Sequence, residues 1–263
     1  MIQKYVFIGD THGANVSVIK RIRRMYKNYA PHEIGVIILG DAGFNTNRPE
    51  EDNKWKHAVD KIGVQVYCVR GNHDACPDKL EGINVVFDDD VGGPVFEERS
   101  FPNIHYLDDG RIYYFAGMRV LVIGGAYSVD KHYRLENGWF WEPDEQLDET
   151  ERDFIFNMME GKHFDIVLSH TCPISWQPTD LFLDFIDQRT VDNSMEAWME
   201  KLKDHISYDM WLFGHYHDDR LVRPGVQMLY DIPVSLETLI GRWIDKDPSY
   251  MIGVKKDPKY YWD

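Results

Sequence analysis

The sequence predicts a mixed α/β fold, and two observations carry that expectation. Early in the chain, short apolar runs that read as buried strands alternate with stretches of helical periodicity, an order that requires parallel pairing. Further on, three runs follow one another with turn signals between them and no helix, which reads as a hairpin-like meander. Parallel and antiparallel ladders should therefore coexist.

The expected strands are residues 5–8, 36–39, 64–69, 120–123, 166–168 and 210–213. Helical spacing appears at Val18, Ile19, Ile22, Met25, Tyr26 and Tyr29, and again over 55–62. Two later helices are expected at 145–159 and 194–205, the second with Met195, Trp198, Met199 and Leu202 on one face. The meander comprises 104–107, 111–115 and 120–123, with Asp109-Gly110 as a turn. After Asp231 no period stands out. There is no internal repeat, low-complexity tract or long Gly/Ser/Pro linker, so a single domain over 1–263 is the simplest organisation. It carries an aromatic loop at about 125–145 and a C-terminal tail at about 231–263.

With 43% apolar and 28% charged residues, the chain is far from the composition of a disordered one. Its formal charge of −15 repels polyanions, which argues against gripping nucleic acid as its main task and leaves a compact phosphorylated substrate as the expected partner. The one basic cluster, Lys20, Arg21, Arg23, Arg24 and Lys27, reads as the solvated face of the first helix. No segment has the length and apolarity of a signal peptide or membrane span, so a cytoplasmic location without a membrane partner is expected. Cys68, Cys76 and Cys172 are odd in number and lack paired spacing, as reduced structural thiols do.

In open α/β sheets ligands gather beyond the carboxyl ends of strands, and there the sequence places metal-ligand residue types. The run 5–8 is followed by Gly9-Asp10-Thr11-His12, 36–39 by Gly40-Asp41, and 64–69 by Arg70-Gly71-Asn72-His73-Asp74. The run 166–168 leads into Ser169-His170, and 210–213 into Gly214-His215-Tyr216-His217. Residues two apart in an extended segment point to one side, so Asp10 with His12, and His215 with His217, should each offer two donors to one cavity. Any one of these polar residues is ordinary as a turn, cap or surface group. Five sets, each at the end of its own strand, point to a shared site.

The ordered pattern Asp-x-His, Gly-Asp, Gly-Asn-His-Asp, a lone His and Gly-His-x-His resembles the calcineurin-like metallophosphoesterase superfamily. The resemblance runs from Asp10 to His217, with Gly71-Asn72-His73-Asp74 and Gly214-His215-Tyr216-His217 its most specific parts. It implies a four-layer α/β/β/α sandwich of two mixed β-sheets flanked by helices. It also implies a binuclear metal centre, with Asp10, His12 and His217 on one ion and Asn72, His170 and His215 on the other; such mixed nitrogen and oxygen donors suit Mn, Fe, Zn or Co better than Mg or Ca. Asp41 would bridge the two ions. The implied activity is hydrolysis of a phosphate mono- or diester through a metal-bridging hydroxide, with His73 as general acid and Asp74 holding its ring by a hydrogen bond. The alternatives are a non-catalytic binding module on the same fold and a nuclease of the same superfamily.

One departure bears on substrate. Where phosphoprotein phosphatases of the superfamily carry Asp-Arg-Gly after the bridging Asp, this chain reads Phe44-Asn45-Thr46-Asn47, without the phosphate-clamping arginine. That argues against phosphoprotein substrates and leaves Asn45 as a hydrogen-bond donor. Arg70 is expected to brace the ligand carboxylates in preference to reaching the substrate phosphate. In the aromatic loop, packing alone accounts for the rings; the sharper expectation is a lid in which Arg134 meets a phosphate while Trp139 or Trp141 stacks on an organic group.

Overall fold

The computed structural model describes residues 1–138, 141 and 143–245. The N-terminal half runs Lys4–Ile8 (β1), Asn15–Met25 (α1), Ile34–Ile38 (β2), Pro49–Asp60 (α2) and Gln65–Cys68 (β3). Five strands follow: Ile83–Asp88 (β4), Gly93–Glu98 (β5), Ile104–Tyr106 (β6), Ile112–Phe115 (β7) and Met118–Ile123 (β8). Then come Lys131–Glu136 (α3), Glu149–Met159 (α4), His163–Ser169 (β9), Ser194–His205 (α5) and Ser207–Phe213 (β10). The last described elements are Arg220–Arg223 (β11), Val226–Met228 (β12), Val234–Ser235 (β13) and Leu236–Asp245 (α6).

Two mixed sheets result. The first has the order β13-β1-β2-β3-β6-β5-β4, parallel from β1 to β6 and antiparallel at both flanks. The second has the order β11-β12-β10-β9-β8-β7, with β12, β10, β9 and β8 parallel. Side-chain alternation sorts each strand between two cores. Along β1, Phe7 turns inward against the second sheet, while Val6 and Ile8 pack with Ile19 and Ile22 of α1 and Val59 of α2. The second sheet does the same: Ile166 and Leu168 of β9 join the inter-sheet core, whereas Val167 meets Trp198, Met199 and Leu202 of α5 and Ile155 of α4. The layers are thus helix, sheet, sheet, helix, and each central strand is buried on both faces, which is why it reads as an unbroken apolar run.

Three features depart from expectation. Residues 104–107 do not continue into a meander: β6 belongs to the first sheet, and only β7 and β8 form a hairpin in the second. Asp109-Gly110 instead carries the chain between sheets. The hairpin turns at Ala116-Gly117, with φ of 51° and 81°, the mirror-image geometry that matches strand twist. Alanine rarely adopts that conformation, which hid the turn. Beyond Asp231, β13 adds to the edge of the first sheet beside β1, and α6 sends Leu236 and Leu239 into the inter-sheet core. A two-residue strand carries no period to detect. Among the described residues no helix is long and apolar enough to cross a membrane.

At the centre of the inter-sheet core Phe115 stacks on Tyr5 at 5.4 Å and lies 6.3 Å from Tyr67 and 6.4 Å from Phe7, centroid to centroid. It is fully buried. Phe115→Ala should lower unfolding free energy by about 3–5 kcal/mol in chemical denaturation, through lost burial and the cavity left behind.

Candidate metal centre

The polar sets all leave the carboxyl ends of parallel strands: Asp10 and His12 after β1, Asp41 after β2, Asn72 and His73 after β3, His170 after β9, His215 and His217 after β10. The first three loops belong to one sheet and the last two to the other. Among the described residues, six non-glycines have positive φ, and four are His12 (43°), Asp41 (48°), His215 (69°) and His217 (53°). Convergence of the i, i+2 pairs is therefore not strand alternation, as expected from sequence. The chain turns left-handed at the ligand-type residues themselves, a conformation of the kind that costs roughly 1–3 kcal/mol and gathers at functional sites.

Side chains from both sheets meet. Asp10 Oδ2 lies 3.3 Å from Nε2 of His217 and 3.9 Å from Nε2 of His12, and those two imidazole nitrogens are 2.8 Å apart. Asp41 Oδ2 is 4.0 Å from Nε2 of His12 and 3.7 Å from Nε2 of His73, while its Oδ1 is 3.7 Å from Nε2 of His170. The same His170 nitrogen is 2.8 Å from Asn72 Oδ1, and the His170 ring packs edge-on to His215 at 5.0 Å. Asp41 thus faces both halves of the cluster. Backbone fixes the carboxylates: the N–H of His215 donates to Asp10 Oδ1, and that of His73 to Asp41 Oδ1, each at 2.8 Å. These contacts explain two glycines, since a Cβ at Gly71 would fall on Asp41 Oδ1 and one at Gly214 on Asp10 Oδ1.

Burial raises the pKa of Asp10, but the imidazoles of His170 and His217 outweigh it and hold the carboxyl below the usual range. Asp41 behaves alike, with His170, His73 and His12 opposing burial. Burial and the neighbouring His170 push His215 down to about 3. Ionised carboxylates beside a neutral imidazole are the protonation states metal ligation needs. Within this site two sets of three residues have ligand atoms that all lie within 4.8 Å of one another: Asp10 with His12 and His217, and Asp10 with Asp41 and His170.

The sequence model of calcineurin-like phosphoesterases matches residues 3–219. The chain belongs to the calcineurin-like phosphoesterase family. No curated protein matches it. Among solved structures, a phosphopantetheinyl hydrolase from Mycobacterium tuberculosis is similar at 14% identity and a TM-score of 0.42, over 99% of this chain and 98% of that one. The family implies metal ions, and the donor set fits them: two carboxylates, four imidazoles and one amide converge, and the buried Asp10 Oδ2 has no hydrogen-bond partner among the described residues.

Three further residues stand elsewhere than the sequence suggests. Asp74 does not hold the His73 ring; its oxygens accept the backbone N–H groups of Ala42 and Gly43, both at 2.8 Å, fixing the turn after Asp41. Burial and the Asp41 charge raise its pKa to about 7. Arg70 braces neither ligand carboxylate: it pairs with Asp109 at 2.7 Å and donates to the carbonyls of Asp144 and Glu145, tying β3 to the aromatic loop. Asn45 is 4% exposed with its side chain against Tyr106, and it lines neither of the two cavities that contain His73. All three are polar groups near ligands in sequence that the fold spends on loop anchoring. Arg134, by contrast, reaches the site, its Nη2 3.4 Å from Nε2 of His73 and its Nε 2.7 Å from Asp130. Trp141 donates to Glu145 at 2.6 Å, a packing role, and Trp139 lies outside the described residues. Sequence reasoning missed the segment 177–193, which walls a cavity beside the ligands; its short 3₁₀ turns lack any motif.

His215 binds fewer protons folded than unfolded between about pH 3 and 6.5, so its contribution to stability is lost as pH falls through that window. In the presence of chelator, the unfolding free energy of wild type relative to His215→Asn should decline on acidification from about pH 6.5 to 3; a constant difference contradicts the assignment.

Proposed function

We propose that this chain is a binuclear metal-dependent phosphoesterase acting on a small phosphate mono- or diester. The observation that carries the proposal is Asp41, an ionised carboxylate buried between His12, His73 and His170, with Asp10 on one side, its Oδ2 3.3 Å from His217. Asp10, His12 and His217 would hold one ion, Asn72, His170 and His215 the other, and Asp41 both. When bound, such a pair supplies Lewis acidity, an activated water and a counter-charge for phosphate oxygens.

The protein's own groups do the rest. His73 lines both the cavity walled by 177–193 and a second groove containing His12, Thr46 and Arg134, so its ring is open to a substrate entering from either. Burial, helped by the Arg134 charge, holds its pKa below that of a free imidazole despite the Asp41 carboxylate facing Nε2, so a proton taken up there is readily given to a departing alkoxide. Arg134 is placed to steady a phosphate oxygen beside His73. Its own tether to Asp130 fixes the guanidinium without a conformational search.

Metal analysis should find two transition-metal equivalents per chain. Hydrolysis of chromogenic phosphate esters should require Mn²⁺ or a similar ion and stop on chelation. His73→Asn should lower kcat on alkyl phosphates by about 10²–10⁴, with a smaller loss on nitrophenyl esters and normal metal content. Arg134→Ala should raise KM about tenfold with metal content unchanged, as expected for a lost charge-assisted hydrogen bond. A metal-free, inert protein would instead support a binding module.

A further inference from the structure

The motifs leave one feature of the site unexplained, a cavity of about 290 Å³ whose lining includes His73, His215 and His217. It is therefore continuous with the proposed reacting centre, and its size lies near the lower end of small-molecule sites, which run roughly 300–1,000 Å³. One wall is apolar: Leu181, Leu183, Ile186 and Val191 all come from the loop between β9 and α5. Glu196, in the first turn of α5, also lines it.

Glu196 is the informative group. It is 3% exposed; its Oε1 accepts the Thr171 hydroxyl at 2.9 Å, while its Oε2 is buried with no hydrogen-bond partner among the described residues. Thr171 follows the ligand-type His170 and meets the Tyr216 hydroxyl at 3.1 Å, and Tyr216 lies between His215 and His217. The acidic side chain is thus held through two hydrogen bonds to the loops that carry the metal-ligand residues. A buried carboxylate oxygen left unmatched is costly, and a donor from a bound molecule removes that cost.

Resting on the phosphoesterase reading, we propose that the cavity receives the alcohol part of the substrate: a compact, largely apolar body carrying an N–H donor that pairs with Glu196. A sugar phosphate carries a hydroxyl at nearly every carbon, and although Gln177, Gln188 and Asn193 could meet some of them, those turned toward Leu181, Leu183 and Ile186 would lose water without gaining a partner. A polyanionic strand would meet both Glu196 and a chain of formal charge −15. In the reaction water adds to phosphorus, the P–O bond to this alcohol breaks, and the alcohol oxygen takes the proton, leaving free alcohol and phosphate.

The test compares three phosphate monoesters on the metal-loaded protein: N-benzoyl-2-aminoethyl phosphate, its O-benzoyl analogue lacking the N–H, and glycerol 3-phosphate. The N-benzoyl ester should exceed the O-benzoyl ester in kcat/KM by about tenfold or more, and glycerol 3-phosphate by a wider margin. Glu196→Met should collapse the N-benzoyl to O-benzoyl gap below about threefold, chiefly through KM. Leu183→Lys, on the half-exposed wall and so tolerant to folding, should raise KM for the benzoyl esters about fivefold or more relative to glycerol 3-phosphate. Equal kcat/KM for the two benzoyl esters, a gap that survives Glu196→Met, or benzoyl KM values untouched by Leu183→Lys would each overturn the inference while nitrophenyl phosphate hydrolysis leaves the phosphoesterase reading standing. A protein inert on all of these esters would fail both.

Discussion

Two buried carboxylates at the seam of two sheets constrain the rest of this structure. Asp10 and Asp41 end adjacent parallel strands of the first sheet, yet Asp10 accepts its backbone hydrogen bond from His215 of the second. The link runs the other way too, because His170 of the second sheet lies 2.7 Å from the Leu39 carbonyl of the first. Removing two acids from water is expensive, and like charges so close oppose each other. The expense is tolerable only where backbone N–H groups and several imidazoles can surround them at once, which means where the carboxyl ends of both sheets converge.

That constraint explains what was legible in the sequence. Central strands had to be buried on both faces, so β1, β2, β3, β9 and β10 read as apolar runs, and the amphipathic α5 occupies the expected span 194–205. The polar sets stood out because each interrupts an apolar run where it meets the seam. Proximity in sequence was a poorer guide to the supporting residues. Arg70, Asn45 and Asp74 sit beside ligand-type residues along the chain, but a strand end diverges within a residue or two, and their side chains were drawn into holding loops together. The edge hairpin β4–β5 escaped notice for the opposite reason. Val85 and Phe87 are exposed while Ile83 and Val86 are only partly buried, so apolar residues fall on both faces of β4 without a clean alternation.

The left-handed turns at His12, Asp41, His215 and His217 add a second cost in the same place. Glycine would relieve it, but these positions need their side chains, so the strain has to be offset by packing elsewhere. The inter-sheet core is well suited to that, with Phe7, Tyr67 and Phe115 clustered below the seam. Closer to the turns, the N–H groups of Thr11 and His12 donate to the Asp41 carbonyl and those of Ala42 and Gly43 to Asp74, bonds that oppose relaxation toward ordinary turns.

Both sheets supply metal-ligand-type residues, but the second also extends into the loops that form the apolar wall of the cavity. The first sheet supplies Asp10, His12, Asp41, Asn72 and His73, whose positions are fixed by backbone bonds and by one another. The second supplies His170, His215 and His217, but its connections after β8 and β9 also run on to form Arg134 on one side of His73 and the apolar wall on the other. Those connections carry no motif and bear few of the seam's constraints. A change in Leu181 or Leu183 alters the shape offered to a substrate without disturbing a carboxylate, whereas a change at Gly71 or Gly214 drives a methyl group into one. On the proposed reading, the same geometry that makes the centre inflexible would leave the choice of substrate to the loops of the second sheet.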